Sequence, residues 1–72
     1  MTPNQCKMAR VGLGLSAENL SEKSGVSRVT IARFESGNPV ASASVDAILA
    51  ALADAGAGFT KRAGRVGVTV PE

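Results

Sequence analysis

The sequence predicts a mainly α domain of four short helices followed by a β-prone extension. Three observations carry that expectation. Apolar residues recur at helical spacing through the first 56 positions. Most of the helical runs open on a residue that can cap a helix and close on a glycine. Beyond residue 56 the pattern changes to short β-prone runs around a basic turn. The expected organisation is a helical domain over 1–56 and an extension over 57–72 that packs within the chain or serves as a dimerisation element.

The elements follow in chain order. Thr2 can cap the first helix, with Pro3 in its first position and Gln5 completing a capping box. The run ends near residue 12, before Gly12-Leu13-Gly14. Ser16 caps the second helix, and Leu15 and Leu20 stand at the spacing of a hydrophobic staple. Glu18 in its first turn suits the positive end of the helix dipole, and Gly25 stops it. Ser27 caps the third helix, Val26 and Ile31 repeat the staple, and Gly37 ends it. Asn38-Pro39 opens a loop. The fourth helix starts near Ser42 and runs to about Ala55, with Val45, Ile48, Leu49 and Leu52 in one apolar stripe. Ala57–Thr60 and Val66–Val70 flank Lys61-Arg-Ala-Gly-Arg65 as a hairpin or strand extension. An isolated hairpin is marginal in water, so it must pack on the fourth helix or on a second chain.

Composition narrows the function. The 72 residues suffice for one domain. A domain of this size buries only about 60% of its unfolded surface, and association is one common remedy. There is no His, Tyr or Trp, one Cys and six scattered acids, so acid–base and nucleophilic chemistry has little to build from. The expectation is a non-enzyme with no cofactor and no metal. Cys6 cannot form an intramolecular disulfide and reads as a buried apolar position, which fits a reducing, cytoplasmic setting. MTPNQCKMAR has no apolar run after a basic start, so no signal peptide is expected. No apolar run approaches the ~20 residues of a membrane span. Residues 1–38 carry five Lys/Arg against three acids, and residues 57–72 carry Lys61, Arg62 and Arg65 against Glu72. This distribution mildly favours a polyanionic partner.

The second and third helices with the turn at Gly25 form a compact helix-turn-helix. Close crossing needs a small residue, and Ser21 is there. The turn needs a residue tolerant of positive φ, which Gly25 provides. Ile31 and Phe34 face inward, while Arg28, Thr30 and Arg33 lie outward or beside that face, with Val29 near the tip.

The segment GLSAENLSEKSGVSRVTIARFESG resembles the phage-repressor and Cro-like helix-turn-helix family, often called XRE-type. Gly14-Leu15-Ser16, Leu20, Gly25-Val26-Ser27, Ile31, Phe34-Glu35 and Gly37 stand at the family's spacings, and the resemblance covers about residues 3–55. It implies a small four-helix repressor-like domain that binds operator double-stranded DNA, normally as a homodimer. It implies base reading by Arg28, Val29, Thr30 and Arg33 at the third helix. Arginine can pair bidentately with guanine, and valine can meet a thymine methyl. It implies phosphate contacts from Ser16, Lys23, Ser27 and Asn38, and a structural ion pair of Arg10 with Glu35.

Plainer readings stand beside these. Arg28, Arg33 and Lys23 could belong to a solvated face, and Lys61, Arg62 and Arg65 to a solvated turn. The alanine-rich flank of the fourth helix, Phe59 and Val66–Val70 are candidates for a dimer surface or for plain core. Ala17 stands where relatives often have Gln, and with the modest charge it motivates a second hypothesis. In that case the fold serves as an antitoxin-like or anti-regulator module that sequesters a protein partner.

Overall fold

Local capping chemistry sets the helix starts. In the computed structural model, which describes residues 1–72, the chain forms α1 (Pro3–Gly12), α2 (Ala17–Ser24), α3 (Arg28–Glu35), α4 (Ser42–Asp54), β1 (Gly58–Arg62) and β2 (Arg65–Thr69). Thr2 Oγ1 accepts from Gln5 N–H at 3.1 Å, and the Gln5 side-chain oxygen accepts from Thr2 N–H at 2.9 Å, a complete capping box. Ser16 and Asn19 make the same reciprocal pair at α2. Ser27 Oγ accepts from Thr30 N–H at α3. At α4 the cap position is Ala41, and no side chain bonds there.

Gly25 closes α2 at φ 74°, in the left-handed region that side-chain-bearing residues resist. Ser24, just before it, accepts Val26 N–H on its hydroxyl at 3.2 Å and so ties down the turn. The chain thereby reverses in three residues between α2 and α3.

The helices bury one cluster. Cys6 and Ala9 come from α1, Leu20 from α2, Ile31 and Phe34 from α3, and Ile48, Ala51 and Leu52 from α4, with Val26 from the turn. The α4 stripe differs in one respect from the expected one. Ala51 joins Ile48 and Leu52 in the core, while Val45 and Leu49 are only half-buried. A methyl at 51 leaves room for α2, which packs closely on α4.

β1 and β2 form an intrachain antiparallel hairpin in which Arg62 pairs with Arg65 across a two-residue turn. Ala63 and Gly64 both have positive φ, 50° and 75°, as a type I′ hairpin turn requires. Phe59, Val66 and Val68 share the inner face, and Thr60, Thr69 and Gly67 the outer one.

Within the chain the hairpin rests mainly on α1 rather than on the fourth helix, the intrachain seat the sequence led us to expect. The cause is Gln5. Its side-chain amide, 5% exposed, donates to Thr60 O at 2.9 Å and to Gly67 O at 3.2 Å. One glutamine therefore caps α1 and holds both strands. Val70 closes over Gly12 at the other end of the same helix; a Cβ there would lie 3.0 Å from Val70 Cγ1.

Candidate nucleic-acid interface

The inward side of α3 explains what is left outside. Ile31 and Phe34 are drawn into the core, which fixes the helix rotation. Arg28, Val29 and Arg33 then project outward and are exposed, Val29 to 68%. Thr30 is half-buried, and its hydroxyl accepts from Ser27 Oγ–H at 2.9 Å. Its own proton stays free to donate.

The charge of α3 is one-sided. Glu35, its only acid, is engaged by Arg10: Arg10 Nε meets Oε2 at 2.8 Å and Nη2 meets Oε1 at 3.0 Å. The two side chains are only 17% and 10% exposed. This fork also donates from Nη1 to Leu15 O at 3.1 Å, so Arg10 joins α1, α3 and the approach to α2. The hydrogen bond to Glu35 holds the guanidinium still more firmly in its charged form. Arg10–Glu35 is the only ion pair in the molecule, so Arg28 and Arg33 have no acidic partner within the chain. No acid lies in the first turn of α3, in contrast to Glu18 in α2. Of the two helix N-termini, that of α3 is therefore the more favourable to an anion.

Cys6 sits beneath the ion pair, fully buried, and its thiol donates to Glu35 Oε2 at 3.5 Å. Burial, with the Glu35 carboxylate beside it, pushes the thiol up to about 12. A thiol held neutral is a poor nucleophile.

The remaining site residues distribute unevenly. Ser16 and Ser27 are exposed caps at the starts of α2 and α3. Asn38 is exposed just past α3, its backbone N–H bonded to Arg33 O and its side chain without an internal partner. Lys23 stands apart: it lines a shallow depression with Ala51, Asp54 and Ala55, against α4. Nothing in the residue pattern signals the second engagement of Gln5 or the Arg10 bond to Leu15 O. The Asn19 half of the α2 capping box was foreshadowed only by its place three residues after Ser16.

A family model described as Helix-turn-helix matches residues 7–54, two thirds of the chain and all of α2 to α4. The chain belongs to the XRE-type helix-turn-helix family. It is accordingly a DNA-binding protein of the class that regulates transcription. No curated protein matches the chain at a significant level. No helix of this XRE-type protein is long and apolar enough to cross a membrane. The match stops at Asp54, so the hairpin lies beyond the part the family defines.

Proposed function

We propose that this protein is a cytoplasmic transcriptional repressor that binds an inverted-repeat operator as a homodimer, with α3 in the major groove. Arg28, Val29, Thr30 and Arg33 read base edges. Ser16, Ser27 and Asn38 hold phosphates, and Lys23 contributes charge at the rim. The observation that supports this reading is the state of α3: two exposed arginines without acidic partners, on a helix whose only carboxylate is already engaged. Two copies of α3 about 34 Å apart would meet successive major grooves, and occupancy of a promoter would block transcription.

The test is binding-site selection followed by gel-shift titration. A palindromic consensus is expected. Arg28→Ala should lose about 1–3 kcal/mol of discrimination at one base pair, about 5- to 150-fold. Lys23→Ala should weaken all sequences alike and flatten the salt dependence. Unchanged specificity in Arg28→Ala would remove α3 from the reading role. Failure of the wild-type chain to be retained by duplex DNA at low salt would favour the protein-sequestering alternative.

A further inference from the structure

The geometry points to the open edge of β2 as the seat of a second copy of this chain, pairing β2 with β2 antiparallel about a two-fold axis at Val68. This rests on the homodimer reading above and assigns its surface.

The backbone argument comes first. In a two-residue hairpin closed by Arg62 and Arg65, hydrogen-bonded pairs alternate, so 62↔65, 60↔67 and 58↔69 bond across the ladder. The N–H and C=O groups of Val66 and Val68 then point away from β1. No turn, loop or helix takes them up. The two edges are unequal. β1 carries Lys61 and Arg62, charges of the kind that protect free edges, whereas β2 carries only Arg65, at its start, and Val66-Gly-Val-Thr-Val70 has none.

The groove beside that edge supplies a floor. It runs between β2 and an outer stripe of α1, with Asn4, Met8, Val11 and Val66 along it and Lys7 and Arg65 at its rim. Met8 is 45% exposed and Val11 62%. The exposed large apolar residues of the chain are Met8, Val11, Val70 and Val29, and only the last lies away from this region. On α4 the large apolar residues outside the core, Val45 and Leu49, are half-buried, and none is fully exposed.

Self-complementarity selects the occupant. Pairing Val68 with Val68 of the partner subunit sets Val66 against Val70 of the partner subunit, and every outward backbone group of the edge finds a mate. Residues directly opposite share a face, so the incoming valines fall on the side of Met8 and Val11. Pro71, lacking an N–H, ends the pairing just past Val70. In the same register Glu72 falls opposite Gly64 of the partner subunit, beside its basic turn, which gives opposite charges at both ends of the new pair.

Sedimentation across a concentration series, with amide exchange on the same samples, tests this. Wild type should form dimers, and the Val66 and Val68 amides should slow as concentration rises while those of Phe59 and Lys61 stay fast. Val11→Lys, at an exposed position, should keep the circular dichroism spectrum and raise the dimer dissociation constant roughly 100-fold. Val66→Pro should do likewise by removing an outward donor. Ala53→Lys on α4 should leave the dimer intact. A wild type that stays monomeric overturns both this assignment and the homodimer reading. A dimer that resists Val11→Lys and Val66→Pro but falls to Ala53→Lys overturns the β2 assignment alone.

Discussion

Gln5→Glu exchanges a buried donor for an acceptor with no change in shape, so it isolates the role of that amide. In the wild type, Nε2 donates to Thr60 O at 2.9 Å and Gly67 O at 3.2 Å, within a site only 5% exposed. A carboxylate there would face two carbonyl oxygens without a proton to share. The carboxyl would have to stay protonated, and holding it so at pH 7, against an ordinary value of about 4.3, costs about 3.7 kcal/mol. The lost donor adds about 1 kcal/mol. The expected cost is about 4–5 kcal/mol at pH 7, and detachment of the hairpin sets its ceiling. At pH 4 the protonated acid can still donate to one carbonyl, and the cost should shrink to about 1–2 kcal/mol. The sign follows from linkage: a carboxyl raised in the folded state contributes fully below its unfolded value and loses that contribution as pH rises through the folded one. Urea denaturation followed by far-UV circular dichroism at both pH values measures the difference from wild type; the chain has no Trp or Tyr, so tryptophan fluorescence offers no signal. A cost below about 1 kcal/mol at pH 7, or one equal at both pH values, would refute Gln5 as the hairpin's anchor.

Other perturbations test other joints. Arg10→Ala leaves the nearly buried Glu35 carboxylate unpaired. Partner loss in buried pairs costs about 3–5 kcal/mol, and the residual solvent contact trims this to about 2–4. Chemical denaturation of Arg10→Ala, Glu35→Gln and the double variant should show strong coupling. Because Cys6 keeps its proton up to about 12 in the folded state while an unfolded thiol releases it near 9.0, stability should fall as pH rises between those values. The slope reaches at most about 1.4 kcal/mol per pH unit. Cys6→Ala should lack this component, and iodoacetamide at pH 8 should label the folded wild type very slowly. Ala63→Asn, at φ 50° in the hairpin turn, should stabilise by about 0.5–1 kcal/mol and raise Tm by a few degrees.

The helices were legible because their determinants are local. Thr2 with Gln5, Ser16, Ser27 and Gly25 each act within three or four residues, and the structure uses all of them. The inward pair Ile31 and Phe34 follows from periodicity, and it fixes which side of α3 is outward. The ion pair of Arg10 and Glu35 was reachable through family resemblance, since nothing in the spacing joins two residues 25 apart. The seat of the hairpin was not legible. Gln5 is separated from Thr60 by 55 positions and from Gly67 by 62, and a capping glutamine gives no sign that its amide faces elsewhere. The alternation in Val66–Val70 marks a strand with one apolar face but does not name the surface that receives it.

α3 is fastened at both ends: the Gly25 turn and the Ser27 cap hold its start, and the Arg10 fork grips its last residue. A rod pinned at two points cannot roll or bow to suit a new surface. With α3 in the groove as proposed, fit comes from the duplex, through groove width and bending at steps the side chains never touch. Operators differing only in those silent steps should separate in affinity by their stiffness.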